Sequence, residues 1–128
     1  TSRLMTGGYV VLEVGLQLAR GMEEQIRERM EELKRLRVQK QPLDFPSAGS
    51  TFKRPEGCFA GKLIMDAGLR GYRVGGAQVS EKHCGFVVNA GKATAEDVCR
   101  LIADVHRIVY EKSGKRLEPE VRFLGFDA

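Results

Sequence analysis

The chain has 128 residues, 42% of them apolar, which suits one core-bearing domain or one domain with a fragment of another attached. No stretch approaches the ~18–20 consecutive apolar residues that a transmembrane helix needs, and Thr1-Ser2-Arg3 lacks the basic, apolar, small order of a signal peptide. A net charge of +4, from 21 basic and 17 acidic residues, fits a small anionic ligand such as a phosphate ester and is weak support for nucleic acid.

The absence of a starting methionine and the direct entry into a strand pattern read as a piece of a longer protein. Tyr9 to Ala19, YVVLEVGLQLA, predicts a strand, with Val10, Leu12, Val14, Leu16 and Leu18 on one face and Glu13, Gly15 and Gln17 on the other. Gly21 breaks it. Glu23 to Lys40 predicts a helix whose apolar stripe (Ile26, Met30, Leu33) is narrow. Glu23 and Glu24 in its first turn and Lys34, Arg35 and Arg37 near its end complement the helix dipole, and Glu23–Arg27 and Glu31–Arg35 are i,i+4 pairs. Such a helix is mostly exposed and can link two domains.

Gln41 to Gly57 is expected to be irregular and holds three of the four prolines. A loop of this length in a compact domain is functional or disordered. Leu43, Phe45, Phe52 and Phe59 are spaced along and just beyond it as anchors, so an ordered functional loop is expected. Phe59 to Ala67 predicts a short helix with Ala60, Leu63 and Ile64 inward and Gly68 as its stop. Tyr72 to Val79 and Gly85 to Asn89 predict strands. Thr94 opens the last helix as an N-cap, with Asp97 three residues on as in a capping box. Val98, Leu101, Ile102, Val105, Ile108 and Val109 form the buried stripe of that helix, and Gly114 ends it. Leu117 to Leu124 predicts a final strand. The sum is an α+β fold, a small two-layer domain with a mostly antiparallel sheet covered by helices.

The cysteines, Cys58, Cys84 and Cys99, are odd in number and form no CxxC. They read as reduced thiols of a cytoplasmic protein, and His83, Cys84 and a distant His106 are too few for zinc, so no metal is expected. Three stretches offer chemistry. In Ser50-Thr51-Phe52-Lys53-Arg54-Pro55, a serine after a glycine presents a hydroxyl beside two cations that can neutralise a phosphate or carboxylate; the same residues also make an ordinary polar turn. In Leu117-Glu118-Pro119-Glu120-Val121-Arg122, the two glutamates share one face of a strand that Pro119 confines to an edge. Either carboxylate can serve as an acid beside a buried face, or simply keep an edge soluble. In Gly75 to His83, the glycine pair permits close backbone approach to a ligand and Gln78 can hydrogen-bond a base or sugar, while His83 reads as a structural histidine.

Taken together, SAGSTFKRP, GKLIMDAGLRGYRVGGAQVSEKHCGFVVN and LEPEVRFLG resemble the C-terminal part of the UDP-N-acetylenolpyruvoylglucosamine reductase family (UDP-N-acetylmuramate dehydrogenases), most densely from Gln41 to Gly125. The resemblance implies a cytoplasmic enzyme of peptidoglycan synthesis in which NADPH reduces FAD and the flavin reduces UDP-N-acetylglucosamine enolpyruvate. It implies that residues 1–20 are the terminal strand of an FAD-binding domain and that residues 21–128 are the substrate-binding domain with its leading helix. Ser50 aligns with the proton donor of the family and Glu120 with the glutamate that stabilises the enol-type intermediate. Lys53, Arg54 and Gln78 are the candidate substrate contacts. Arg54 stands where many relatives carry asparagine. The FAD site and a carboxylate-binding arginine fall before Thr1, so no cofactor-binding residue is expected in this chain, and the chain alone is expected to be inactive. Neither nucleic acid nor membrane is expected as a partner. The alternative is a non-catalytic nucleotide-sugar-binding or regulatory module.

Overall fold

A computed structural model describes residues 7–125. The chain divides into two compact units, Thr1–Leu33 and Lys34–Ala128. In the first, residues 9–20 form neither helix nor strand, against the strand expected over Tyr9 to Ala19, and residues 1–6 of the expected FAD-domain remnant lie outside the described residues. The alternating valines and leucines are all exposed, Leu12 to 93%. An amphipathic strand is stable only when a neighbour takes its backbone groups and a core covers its apolar face, and the first unit offers no such sheet among its described residues. Helix α1, Glu23–Lys40, has the expected bounds and the expected acidic-to-basic polarity, buries none of its residues and carries the Glu23–Arg27 pair at 2.7 Å.

The second unit carries the sheet. Its strands are β1 (Ser47–Ser50), β2 (Arg73–Val74), β3 (Ala77–Val79) and β4 (Phe86–Asn89), antiparallel throughout in the order β1-β4-β3-β2. Helices α2 (Ala60–Asp66) and α3 (Ala95–Ser113) complete it, and α3 packs on β2, β3 and α2. The α+β class expected from the element order is the class observed.

Three elements differ from expectation. The loop Gln41 to Gly57 contains β1, an edge strand hidden by its composition. Ser47 faces Val88 and Ser50 faces Phe86, so one extra residue is fitted into β1 as a bulge at Gly49, whose φ is +90°. The strand Tyr72 to Val79 is instead the β2–β3 hairpin, turning on Gly75-Gly76, because a glycine pair between short apolar runs is itself a hairpin signal. The final strand Leu117 to Leu124 is reduced to a single bridge between Phe52 and Pro119. Pro119 has no N–H to extend a ladder. Only its neighbours bond, Lys53 N–H to the Glu118 carbonyl at 2.8 Å and Glu120 N–H to the Thr51 carbonyl at 2.9 Å.

The core follows from the apolar spacing of α2 and α3. Ile64, Leu101, Val105 and Val109 are fully buried against Val79, Phe52 and Leu117. Each such aliphatic side chain contributes about 1.5–3 kcal/mol. The Thr94–Asp97 capping box forms in both directions, and Gly114 closes α3 in the left-handed conformation. Lys112 Nζ donates to the Ala67 carbonyl at 2.7 Å, tying the last turn of α3 to the C-terminal end of α2.

Candidate functional site

Anchoring begins at Thr51 and Phe52, both 2% exposed, which fix the chain directly after Ser50. Thr51 N–H donates to the Gly85 carbonyl at 2.9 Å, and Thr51 Oγ1 accepts from Val87 N–H at 3.0 Å. The Thr51 carbonyl holds Glu120 N–H on the other side. Ser50 and Glu120, distant in sequence, therefore line one cleft of about 540 Å³, within the range of small-molecule sites. The hydroxyl of Ser50 remains exposed, with a long 3.4 Å bond to the Phe52 carbonyl.

The other wall comes from the β3–β4 loop and α2. Buried Ser80 accepts from the N–H groups of Lys82 and His83, both at 3.2 Å, and so shapes the turn that brings Lys82, His83, Cys84 and Gly85 to the cleft. His83 Nδ1 accepts from Gly85 N–H at 3.1 Å, and its ring meets Phe86 edge-on with centroids 5.0 Å apart. The structural reading of His83 therefore holds for one ring nitrogen, while the residue still lines the cleft. Gly61 of α2 lies close against this loop; a Cβ there would stand 3.1 Å from Gly85 N and 3.3 Å from the His83 ring.

Charge gives the cleft its character. Arg54, Lys62, Arg70 and Lys82 line it, against the one carboxylate of Glu120. Each cation has a partner: Arg54 lies over the Phe59 ring at 4.1 Å, Lys62 bonds Asp66 at 2.8 Å, Arg70 the Met65 sulfur at 3.1 Å, and Lys82 the Val38 carbonyl at 2.6 Å. Four cations with a single carboxylate favour a dianionic or diphosphate ligand. The sequence reading missed Lys62, Arg70 and Lys82 as lining residues, because single cations on a short helix and in turns look like solvated surface.

Two expected contacts lie elsewhere. Lys53 does not line the cleft; its ammonium pairs with Glu118. Gln78 donates Nε2 to the Gly71 carbonyl at 3.2 Å and borders a separate hollow with Pro42, Phe45 and Ser80. The Gly75-Gly76 pair is likewise closed to ligands. A Cβ at Gly76 would stand 2.1 Å from the Gly91 carbonyl oxygen and 2.4 Å from Ala93 N. No group of three or more His, Cys, Asp or Glu able to hold a metal occurs among the described residues, and no helix there is long and apolar enough to cross a membrane.

Comparison with known proteins shows the family of the chain. Residues 41–124 match the profile described as UDP-N-acetylenolpyruvoylglucosamine reductase, C-terminal domain. The chain is 64% identical over 125 residues to the UDP-N-acetylenolpyruvoylglucosamine reductase of Lachnoclostridium phytofermentans, covering 98% of this chain and 40% of that protein. It is 62% identical to the reductase of Agathobacter rectalis over 92% of this chain and 38% of the relative. In structure it is similar to the crystallised reductase of Thermus caldophilus, with a TM-score of 0.65 and 43% identity over 81% of this chain and 37% of that one. The chain thus spans about 40% of the length of the curated relatives it matches. It belongs to the UDP-N-acetylenolpyruvoylglucosamine reductase family, to whose C-terminal domain it corresponds.

Proposed function

We propose that the chain is the substrate-binding domain of a longer cytoplasmic reductase that converts UDP-N-acetylglucosamine enolpyruvate to UDP-N-acetylmuramate, with NADPH as reductant, for peptidoglycan synthesis. Residues 1–20 belong on this reading to the preceding domain. The observation that carries it is the meeting of Ser50, Glu120 and four cations in one cleft. FAD, the redox group implied by the family, is assigned to the part of the protein outside this chain. The residues of the substrate-side unit do not fit it: at Gly75-Gly76 a Cβ on Gly76 would already meet the chain's own Gly91 and Ala93, which leaves no room for a dinucleotide there.

What the chain supplies is charge and a proton. The cations Arg54, Lys62, Arg70 and Lys82 hold the diphosphate and carboxylate, and Lys53 joins them only on leaving Glu118. Reduction of the enolpyruvyl double bond adds hydride at its methylene carbon and loads negative charge onto the carboxylate and the carbon alpha to it. Preorganised donors facing that charge lower the barrier. Ser50 gives its hydroxyl proton to the alpha carbon and regains one from solvent. Glu120, whose backbone is tied to Thr51, helps to stabilise the enol-type intermediate.

The test is the longer protein carrying Ser50→Ala, with the two half-reactions followed separately. NADPH should still reduce the flavin at nearly the unaltered rate. Transfer to the enolpyruvyl substrate should slow by about 10²–10⁴-fold, the usual contribution of a positioned acid. Equal losses in both halves would overturn the proton-donor role. Failure of the unaltered longer protein to turn over this substrate would overturn the whole reading.

A further inference from the structure

We infer that Thr51 is a positioning residue, holding the proton donor and the carboxylate of the site to one common frame. The inference rests on the reading of Ser50 and Glu120 given above. The bulge at Gly49 breaks the β1–β4 ladder just before the site: the register gives Ser50 opposite Phe86, and beyond it the chain of β1 no longer runs as a strand. Val87 N–H accordingly finds its acceptor in a side chain, Thr51 Oγ1 at 3.0 Å, in a buried bond between residues 36 apart in sequence. A buried N–H without a partner is costly, so the hydroxyl at position 51 answers a need created by the bulge.

Thr51 is then engaged in two directions. Its N–H and hydroxyl bind Gly85 and Val87 of the β4 edge, and its carbonyl binds Glu120 N–H at 2.9 Å. Ser50 precedes it directly, and Glu120 hangs from it by that one backbone bond. Both side chains line the same cleft, while Thr51 itself is buried to 2% exposure and is absent from the lining. A rotation of the Thr51 peptide unit would move the Ser50 hydroxyl and the Glu120 carboxylate together. Misplacement by about 1 Å can cost on the order of 10²-fold in rate. The hydroxyl that fixes this unit thus sets the rate of proton delivery without touching substrate.

The experiment is Thr51→Val in the longer holoprotein, which keeps the side-chain volume and removes only the acceptor. Transfer to the enolpyruvyl substrate should slow about 10–100-fold. Affinity for the UDP-sugar, measured by titration, should change less than about 3-fold, and NADPH reduction of the flavin should be unaltered. Thr51→Ser, which retains the acceptor, should restore the transfer rate to within about 3-fold. If Thr51→Val does not fold, Thr51→Ala, whose smaller side chain leaves room for a water at Val87 N–H, carries the same expectations. Unaltered transfer in the variant, parallel loss of binding and transfer, or a Thr51→Ser variant as slow as Thr51→Val would each overturn the inference. Absence of enolpyruvyl reduction by the unaltered protein would instead sink the underlying reading.

Discussion

Arg54 and Lys53 are adjacent cations with different fates, and the difference lies in what holds each one. Arg54 is stacked over Phe59 at 4.1 Å and lines the cleft. A guanidinium on an aromatic face gains about 0.5–1 kcal/mol at an exposed site, and its donors stay free for an anion. Lys53 leans instead on Glu118 across an exposed pair, an interaction worth about 0–1 kcal/mol. In the longer protein Arg54→Ala should therefore weaken UDP-sugar binding about 10-fold or more, an effect that shrinks as salt rises. Lys53→Ala should weaken it by about 3-fold or less. Titrations of both variants at two ionic strengths check the order, and a larger effect at Lys53 would reverse the assignment. Glu120 allows a sharper distinction. Glu120→Gln keeps a hydrogen-bonding group of the same size at that point and should retain about 10-fold more activity than Glu120→Ala. Equal loss in the two would show that the amide cannot stand in for the acid.

At the scale of elements, the sequence was most legible where one local rule governs. The capping box of α3 could be read from Thr94 and Asp97 alone, because both bonds join residues three apart. Thr94→Ala should cost about 1 kcal/mol, measurable as a lowered thermal midpoint. The Thr94 backbone N–H, aided by Gly76 N–H, holds the Asp97 carboxyl below the usual carboxylate range. A depressed folded value means that stability is present above the unfolded value of about 4 and is lost as pH falls through the folded one. Asp97→Asn should flatten that acid limb of a denaturation series. The β2–β3 hairpin was equally local but was read too long, because Tyr72 to Val79 shows an apolar pattern on both sides of its glycines. Gly76→Ala would drive a Cβ into the Gly91 carbonyl, and should cost about 1–3 kcal/mol. Strand β1 was not legible. Ser-Ala-Gly-Ser has no strand propensity, and only β4, almost 40 residues later, gives it a partner. The same holds for the candidate site: resemblance singles out Ser50 and Glu120, but what brings them to one cleft is the long-range bonding of Thr51 to Gly85 and Glu120.

For the molecule as a whole, binding and turnover should separate. The cleft lies entirely within Lys34–Ala128, so this chain by itself carries the four cations proposed to bind the ligand. The isolated chain should accordingly take up a UDP-sugar. Its affinity should fall short of that of the longer protein by about 10-fold or more, because each further 1.4 kcal/mol of contact outside this domain is a factor of ten. That residual binding should be strongly salt-dependent. The Debye length contracts from about 30 Å at 0.01 M to about 10 Å at 0.1 M, and four cations against a single carboxylate supply most of the attraction. Turnover is a different matter: the hydride source is assigned to the portion absent from this chain. The isolated chain mixed with FAD and NADPH should bind the UDP-sugar without oxidising NADPH. A calorimetric titration beside an absorbance assay for NADPH checks both halves. Oxidation of NADPH coupled to loss of the enolpyruvyl group would refute the division of labour, whereas silence in the titration would mean that the cleft needs the rest of the protein to bind at all.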